Sequence, residues 1–397
     1  MKTNAGHLTY CTNIHAGESW PEHFAALRQN FPLIKSAVSP GAPMGIGLRL
    51  SHLASLDLVK QDNLSAFKQW LYDQDAYVFT MNGFPYGGFH RTMVKDMVHA
   101  PDWTTNDRVA YTTRLFLLLK DLLPAGMDGG ISTSPLSYKH WYKNEAEKEQ
   151  AIRTATAHIM SVAEVLIHIR LSDGIVLHLD IEPEPDGLLE SGEEYIQWYE
   201  QYLLPLALIT LSKKFGLSAT DAEKLIKEHI CLCYDVCHFA VGYESHAAMI
   251  AQLRSKQLRV GKIQISAALK GLLDENRGEV IGAFQQFNET VYLHQVVAKT
   301  SNGLLRYPDL PQALADAVNP AAQEWRAHFH VPVFTASIDP LQTTQTDIRE
   351  VLALQTAASF TQHLEVETYT WEVLPDALRL PLNDSIIREL EWVKTQL

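Results

Sequence analysis

One short apolar segment ends in acidic residues, and it is the first place in the sequence where chemistry is expected. Residues 175–185 read IVLHLDIEPEP, in which His178, Asp180 and Glu182 alternate with leucine and isoleucine. In an extended strand these three polar side chains point to one face and the apolar ones to the other. The prolines after Glu182 cannot continue a hydrogen-bonded ladder. Glu182 is therefore predicted to stand at the carboxyl end of a buried strand.

Three further polar residues occupy the same kind of position in later strands. Asp235 nearly ends one predicted strand, Gln264 lies late in the next, and Glu367 lies late in the last. If these strand ends meet at one mouth, the carboxylates raise one another's pKa unless a cation compensates them. The predicted cofactor is therefore a divalent metal (Zn, Mn, Mg or Co). Its predicted ligands are Glu182, Asp235, Gln264 and Glu367, and helix capping or a salt bridge is the alternative role for each acid.

Histidines near these strand ends extend the predicted ligand set. Asp235 and His238 form a D-x-x-H pair, so the imidazole could bind a second metal or orient a substrate. His328 and His330 alternate onto one face of a predicted strand, which suits a shared metal, although an edge pair facing solvent has the same spacing. His294 is a further candidate if its segment approaches the mouth.

Polar residues at the ends of the first strands are candidates for binding a substrate. Their amide, imidazole and guanidinium groups could read a polyhydroxylated or phosphorylated ligand by hydrogen bonds, and ordinary turn and capping roles are the alternative. These residues are Asn13, His15, Arg49, Asn82 and His90.

The cysteines and the common catalytic motifs point away from several other chemistries. Cys231, Cys233 and Cys237 lie within one strand segment, so they cannot surround a tetrahedral zinc ion and are better interpreted as small core thiols. The sequence has no G-x-G-x-x-G after a strand, no P-loop and no G-x-S-x-G motif, which lowers the odds of a dinucleotide site, an NTPase or a hydrolase elbow.

Composition limits the class of protein further. The 397 residues are 46% hydrophobic and 20% charged, enough for one large barrel with insertions or for two domains. The net charge of −13 argues against nucleic acid as a partner, because binding a phosphate backbone needs clustered Lys and Arg. No run of about 18 apolar residues and no signal pattern occurs, so the expectation is no integral membrane segment and a cytoplasmic location.

Short β-rich segments alternate with helical ones along most of the chain. Eight repeats of this order favour a parallel α/β fold closed into a (β/α)8 TIM barrel. Ser19 and Glu22 form a capping box at the start of the first helix. Strands are predicted at 7–15, 44–50, 76–82, 129–134, 175–182, 230–236, 260–266 and 363–369. The main helices are predicted at 20–36, 63–73, 107–122, 145–171, 193–215, 220–228, 245–254, 344–362 and 383–395.

The alternation breaks between the seventh and eighth strands. Two further strands are predicted there, at 290–297 and 328–334, and residues 300–311 between them read as a Gly/Pro loop followed by a short helix. We interpret residues 268–338 as an insertion in one domain that spans 1–397.

These features resemble the xylose isomerase-like TIM-barrel superfamily. That superfamily has a Glu at the end of strand five, an Asp-x-x-His at strand six, a His at strand seven and a Glu at strand eight. Glu182, Asp235 with His238, and Glu367 match those positions, whereas Gln264 departs from the usual histidine. In the branch similar to endonuclease IV, a D-x-H pair between strands seven and eight binds a second metal, and residues 328–330 look like a variant of that pair.

A closer resemblance is to the bacterial EboE family, whose members are named metabolite traffic proteins and come from gene clusters tied to secondary-metabolite processing or export. It covers nearly the whole chain and rests on residues 8–15 (LTYCTNIH), 45–50 (GIGLRL), 79–86 (FTMNGFPY), 328–334 (HFHVPVF) and 365–375 (EVETYTWEVLP). The resemblance implies a small-molecule metabolite as ligand and proteins of the same gene cluster as possible partners.

Three functions are consistent with these observations. In a sugar isomerase or epimerase, the metal polarises a carbonyl while Glu182 and Glu367 act as ligands and proton shuttles and His238 orients the substrate. A non-catalytic metabolite-binding or carrier barrel is the first alternative. A phosphoesterase of the endonuclease IV type with two or three metals is the second, although the net charge of −13 argues against a DNA substrate.

Overall fold

Alternation of apolar and polar residues produces most of the predicted strands close to their predicted bounds. The structure is a computed structural model that describes residues 1–88, 94–372, 374 and 380–397. Its strands are β1 (Lys2–Thr3), β2 (Gly6–Tyr10), β3 (Met44–Arg49), β4 (Ala76–Asn82), β5 (Gly129–Thr133), β6 (Leu177–Ile181), β7 (Ile230–Asp235), β8 (Val260–Ile265), β9 (Ala267–Leu272), β10 (Val296–Thr300), β11 (Gly303–Tyr307), β12 (Ala322–Val331), β13 (Ser337–Ile338), β14 (Leu341–Thr343) and β15 (His363–Val366).

The helices also follow the predicted pattern, with the capping box at Ser19 and Glu22 confirmed at the start of the first one. They are α1 (Trp20–Val38), α2 (His52–Leu58), α3 (Gln61–Asp73), α4 (Asn106–Leu122), α5 (Glu145–Asp173), α6 (Gly192–Trp198), α7 (Leu204–Phe215), α8 (Ala219–His229), α9 (Val236–Val241), α10 (His246–Ser255), α11 (Arg277–Gln285), α12 (Leu310–Ala315), α13 (Gln345–Ala357) and α14 (Leu382–Lys394).

Eight strands form a parallel α/β barrel. Around it, β2, β15, β8, β7, β6, β5, β4 and β3 are neighbours in that order, and every hydrogen-bonded pair among them is parallel. The short β1 pairs antiparallel with the start of β2. Helices separate successive barrel strands, as the strand–helix alternation predicts.

The seam between β2 and β3 closes the barrel with side-chain hydroxyls. One isolated parallel bridge joins Cys11 to Gly47. Beside it, the Thr9 hydroxyl donates to the carbonyl of Gly45 (2.8 Å) and accepts from the amide of Gly47 (3.1 Å). The Thr12 hydroxyl accepts from the amide of Arg49 at 2.9 Å. Two threonines therefore replace ladder bonds that a regular pair of strands would make between backbones.

A buried ion pair occupies the centre of the barrel. The Lys262 Nζ atom donates to a carboxylate oxygen of Glu365 at 3.0 Å, and neither side chain is exposed. The same ammonium group donates to the carbonyl of Met81 (3.0 Å) and contacts the hydroxyl of Ser132 (3.3 Å). Gly47 makes room for this pair, because a Cβ atom there would overlap the Glu365 carboxylate.

A second, antiparallel sheet lies between β8 and β15 in the sequence. Its strand order is β11, β10, β12, β9, β14 and β13. The prediction of a loop across residues 300–311 is wrong, because β10 and β11 form a hairpin there, whereas the short helix predicted after it is confirmed as α12. Gly303, at φ +129°, supplies the backbone conformation that the tight turn needs. Strand β12 begins at Ala322, six residues before the predicted strand at 328–334.

Two other predicted elements end differently in the structure. The first strand stops at Tyr10, and residues Thr12–Ile14 form a 3₁₀ turn rather than continuing to residue 15. The predicted helix at 193–215 is divided by a π-helical turn at Tyr199–Leu203. Pro205 lies in the first turn of α7 and has no N–H. It therefore cannot donate a hydrogen bond to a carbonyl of the π-helical turn before it, and this explains the interruption.

Candidate metal centre

A cavity opens at the carboxyl ends of the barrel strands, about 580 Å³ of space without protein atoms, including its mouth. Its inner wall is polar and its outer wall is apolar and aromatic. The polar wall consists of Asn13, Asn82, Lys95, His99, Glu182, Glu184, His238, Gln295, His328, His330 and Glu367. The apolar wall consists of Phe84, Pro85, Val94, Val98, Tyr292, Leu293 and Tyr369.

Asp235 lies beneath this wall at the end of β7 and caps α9. Its Oδ1 atom accepts from the His238 amide (3.2 Å) and from the Ser266 hydroxyl (2.6 Å). Its Oδ2 atom is buried and has no hydrogen-bond partner among the described residues. That oxygen lies 3.9 Å from Nε2 of both His238 and His330. One carboxylate oxygen is thus fixed and the other faces two imidazoles.

His238 and His328 meet through their Nε2 atoms, which are 3.1 Å apart. Nδ1 of His238 lies 3.0 Å from the carbonyl oxygen of Pro183, which can only accept. Nδ1 of His328 lies 2.8 Å from Oε1 of Gln295, whose amide nitrogen donates to the carbonyl of Pro185. Both Nδ1 atoms therefore carry the proton, and in the neutral rings both Nε2 atoms present lone pairs.

His330 repeats this arrangement from the same strand, β12. Its Nδ1 atom donates to the backbone carbonyl of Glu367 at 2.8 Å. Its Nε2 atom is buried and, within the part of the chain described, has no hydrogen-bond partner. Burial lowers the pKa of His330, and it lowers the pKa of His238 and His328 well below the ordinary value. Three neutral imidazoles therefore direct lone pairs into one small volume.

The acids around these histidines are held in their neutral form when no cation is present. Burial, followed by the charges of Asp235 and Glu184, raises the pKa of Glu182 well above the usual value. Burial, followed by Glu182 and Asp235, does the same for Glu367. Oε1 of Glu367 accepts amide protons from Asn13 (2.8 Å) and Asn82 (2.7 Å), which fix its orientation.

Glu184 and His99 form a further pair at the cavity. His99 Nε2 lies 3.0 Å from Oε1 of Glu184, and both side chains are buried. Burial lowers the pKa of His99 to about 3 and raises the pKa of Glu184 well above its usual value. His99 was not among the predicted site residues, because a contact between residues 85 positions apart leaves no local pattern in the sequence.

These residues fit a divalent metal ion. Ligand atoms of Asp235, His238 and His330 all lie within 4.8 Å of one another, and so do those of Glu184, His238 and His328. The ligand atoms of one tetrahedral zinc ion lie about 3.3 Å apart. The Nε2–Nε2 distance of 3.1 Å between His238 and His328 and the 3.9 Å distances from Oδ2 of Asp235 lie on either side of this value. Each histidine donates its other ring proton to an oxygen, the arrangement that orients metal-binding imidazoles. The facing lone pairs of His238 and His328 repel each other unless a cation lies between them.

Gln264 lies one layer below this group. It is level with Glu365 across β8 and β15, two residues before Glu367. Its amide oxygen accepts from the thiol of Cys233 at 3.0 Å, and it is absent from the residues described as lining the cavity. Ser266 occupies the corresponding position at the mouth and contacts Asp235. The structure therefore does not bring Gln264 to the other predicted ligands.

The remaining predicted residues divide between the cavity and its surroundings. Asn13 and Asn82 reach Glu367, whereas His15 contacts the Tyr10 hydroxyl (3.0 Å) and Arg49 contacts Glu18 (3.3 Å). His294 directs one nitrogen to Glu289 (2.6 Å) and the other to the carbonyl of His328 (2.9 Å). His90 lies outside the described residues.

The four cysteines are free and buried. Burial raises the pKa of Cys231, Cys233 and Cys237, which keeps the thiols protonated. This agrees with their interpretation as core thiols.

Comparison with known proteins gives distant similarities. No family model matches the sequence, and no curated protein matches it. Among solved structures, the chain is similar to AsbF, a probable 3-DHS dehydratase of petrobactin synthesis from Bacillus anthracis (10% identity, 98% of both chains, TM-score 0.44). It is similar to a xylose isomerase-like TIM-barrel protein from Mycobacterium smegmatis in complex with magnesium (11% identity, 96% of this chain and 90% of that one, TM-score 0.47). It is also similar to the IOLI protein with a bound zinc atom (11% identity, 98% and 96%, TM-score 0.47).

Scores at this level do not assign a function, so the site rests on its own residues. The resemblance to the EboE family stays a prediction from the sequence motifs. No helix in the described part of the chain is long and apolar enough to cross a membrane.

Proposed function

We propose that this protein is a metal-dependent enzyme of the sugar isomerase or epimerase type, acting on a small hydroxylated or carbonyl-bearing metabolite. The observation that carries the proposal is the convergence of two buried carboxyl groups and a cluster of imidazole lone pairs on one cavity. Glu182 follows β6 and Glu367 follows β15, with β7 and β8 between them, so the two carboxyl groups approach the cavity from different directions.

The metal would be held by Asp235, His238, His328 and His330, with Glu182 completing the set. Three imidazoles with carboxylates favour Zn, Mn or Co over Mg, which prefers oxygen ligands. When bound, the ion would supply Lewis-acid polarisation of a substrate carbonyl or hydroxyl oxygen.

The glutamate side chains of the cavity would transfer protons to and from the substrate. Glu367 is oriented by Asn13 and Asn82 and would exchange a proton with a substrate carbon or oxygen in the cavity. Glu182 has a buried Oε2 atom without a hydrogen-bond partner among the described residues, so it can accept a proton or a ligand bond. Glu184, paired with His99, would act as the proton store for this region.

The cavity supports an amphipathic substrate. Its polar wall matches hydroxyl or carbonyl groups, and its outer wall of Phe84, Val98, Tyr292 and Tyr369 matches an apolar substituent. A product of secondary metabolism, handled in the cytoplasm together with proteins of the same gene cluster, is the substrate class that the EboE resemblance implies.

A phosphoesterase is the second candidate, and one observation favours it. His238 belongs to two overlapping groups of possible ligands, one with Glu184 and His328 and one with Asp235 and His330. If His238 binds one ion, Glu184 and His328 with a further carboxylate of the cavity could hold a second, as phosphoester chemistry requires. The number of ions bound in the cavity separates the candidates: one ion among its residues favours the isomerase, and two or more favour the phosphoesterase.

The test follows hydrogen exchange on carbon. The protein is loaded with Zn²⁺, Mn²⁺ or Co²⁺ and incubated in D₂O with a panel of aldoses, ketoses and aryl-substituted hydroxy ketones, and NMR records deuterium beside the carbonyl. Glu182→Gln and Glu367→Gln should each lower the exchange rate by about 100-fold or more. Glu193→Gln, an exposed acid on α6, is the matched control.

Metal content is measured in the same preparations. Glu182→Gln and Asp235→Asn should lower the amount of metal bound in the cavity several-fold while circular dichroism stays unchanged. Unchanged metal in both variants would remove the site assignment. Tight ligand binding without exchange would favour the carrier, and hydrolysis of phosphate esters without exchange would favour the phosphoesterase.

A further inference from the structure

A second cluster of imidazoles and carboxylates lies at the opposite end of the barrel. Asp128 directly precedes β5, His178 is the second residue of β6 and His363 is the first residue of β15. All three therefore lie at the amino-terminal mouth, whereas the cavity described above opens at the carboxyl ends of the strands. Nothing in the proposed isomerase chemistry uses them.

The three side chains are arranged as ligands of one ion. An oxygen of Asp128 lies 3.7 Å from Nε2 of His178, and its other oxygen forms a 3.3 Å hydrogen bond with Nε2 of His363, a contact that a bound ion would replace. One ligand atom from each residue falls within 4.8 Å of the other two. Ligands of a tetrahedral zinc ion lie about 3.3 Å apart, so a small inward adjustment brings the set to bonding distance.

The protonation state of His178 supports metal binding. Its Nδ1 atom lies 2.6 Å from Oδ1 of Asp180, which accepts the ring proton. Nε2 then carries the lone pair. This nitrogen is buried, in a side chain that is 1% exposed, and it has no hydrogen-bond partner in the described parts of the chain. A carboxylate that orients an imidazole toward a metal is the usual support for such a ligand.

The barrel is built to accommodate the Asp180–His178 pair. Gly130 and Gly261 flank it on β5 and β8, and a Cβ atom at Gly130 would overlap the His178 ring. At Gly261 a Cβ atom would overlap the Asp180 carboxylate. The two glycines therefore leave the space in which the ring points toward Asp128.

The local charge also favours a cation. Asp128 and Asp180 contribute two carboxylates, and Arg259, whose Nη2 atom lies 3.3 Å from Asp128, contributes one guanidinium. One negative charge therefore remains uncompensated in this group. Asp128 is 28% exposed, so an ion can enter from solvent and keep a water ligand.

We propose that Asp128, His178 and His363 form a second transition-metal site, suited to Zn²⁺ or Co²⁺, at the amino-terminal mouth of the barrel. The ion would join the segment before β5 to β6 and β15, which are not adjacent strands in the barrel. Its role would be structural, because a metal that binds only the folded barrel stabilises it.

The first test uses a protein whose other centre is disabled by His238→Gln with His330→Gln, which together remove a ligand from each possible metal-binding group described in the cavity. Titration with Co²⁺, followed by its visible absorption and by elemental analysis after Zn²⁺ exchange, should show one ion per chain. Adding Asp128→Asn should weaken binding by about 100-fold or more, and adding Asp180→Asn by about 10- to 100-fold, since losing an outer partner costs that much. Asp128 is partly exposed, so its variant tests the site without removing a core residue.

His7→Gln is the matched control, because His7 lies at the same mouth but directs Nδ1 to the Tyr77 hydroxyl at 2.7 Å. It should leave Co²⁺ binding unchanged. Anomalous diffraction at the zinc edge from soaked crystals should give a peak between Asp128, His178 and His363. A disabled protein that binds no ion, binding that Asp128→Asn does not weaken, or a zinc peak confined to the Asp235 cluster would each overturn the proposal.

Discussion

His238 and His328 face each other through Nε2 atoms 3.1 Å apart, and both of these atoms carry lone pairs in the neutral rings. The Nδ1 protons are committed to Pro183 and Gln295, so neither ring can turn its proton toward the other without losing a bond to a buried oxygen. The two facing lone pairs repel each other, and a cation bound between them removes that repulsion.

Zinc should therefore stabilise the protein through His328. At about 100 times its dissociation constant, bound metal adds about 2.7 kcal/mol to the free energy of unfolding. Thermal unfolding of chelator-treated protein with and without Zn²⁺ should show a clearly smaller increase in His328→Gln than in the wild type, and the increase that remains comes from the site at Asp128. His294→Gln is the control, because both ring nitrogens of His294 bind elsewhere. An equal response of both variants would contradict the site.

Replacing Lys262 by Met should destabilise the barrel by roughly 3–5 kcal/mol, because it leaves the carboxylate of Glu365 buried without its counter-charge. The double variant Lys262→Met with Glu365→Gln should recover part of that loss. Urea denaturation of both gives the comparison. Lys120→Met breaks a partly exposed pair with Asp173 and should leave the free energy of unfolding nearly unchanged, because solvent screens such a pair. A cost for Lys262→Met as small as that of the control would show that the central pair is not required.

Thr9→Val should open the seam of the barrel. Valine keeps the shape of threonine but removes the hydroxyl that serves Gly45 and Gly47, and each buried backbone group left without a partner costs about 1–3 kcal/mol. Amide hydrogen exchange should accelerate at Gly47 and leave β6 protected. Thr154→Val, which removes a hydroxyl from the outer surface of α5, is the control. Uniform acceleration across all strands would indicate general loss of stability instead.

Glu389 should make stability fall as the pH rises. Burial raises its pKa to about 8, and it accepts from the Thr368 hydroxyl (2.7 Å) and the Val333 amide (3.1 Å). Between the ordinary carboxyl pKa, about 4.3, and this raised value, the folded chain holds a proton that the unfolded chain has released, so the free energy of unfolding decreases with pH.

The slope reaches at most about 1.4 kcal/mol per pH unit. Glu389→Gln imitates the protonated acid, so its advantage over wild type should be absent near pH 4 and grow up to about pH 8. Chemical denaturation across that range measures it, with the exposed Glu391→Gln as control. A constant difference at all pH values would exclude titration of Glu389.

The barrel strands were predictable because their side chains alternate or are uniformly apolar over five or six residues. Strand β4 has its predicted bounds, Ala76–Asn82. The hairpin around Gly303 was not predictable, because β11 is mostly exposed and the composition of the segment is that of a loop. The division of the helix at Tyr199–Leu203 depends on one proline in an otherwise regular pattern.

The candidate site was predictable only where a residue ends a strand. This rule grouped Glu182, Asp235 and Glu367, and the structure places them around or beneath one cavity. The rule does not specify the register along a strand. It therefore did not show that Gln264 lies two residues before the mouth, in the layer below it. His99 ends a 3₁₀ turn and Gln295 directly precedes β10, and their roles come from contacts with Glu184 and His328, so no local pattern reveals them.

The ligands of the candidate centre come from two different sheets. His328 and His330 lie on β12 of the antiparallel sheet. Asp235 ends β7 of the barrel, and His238 follows it in α9. The centre exists only when the two sheets have docked, so loading with metal would follow docking and hold it in place. A bound ion would then link the antiparallel sheet to the barrel, in addition to the side chains that pack between them.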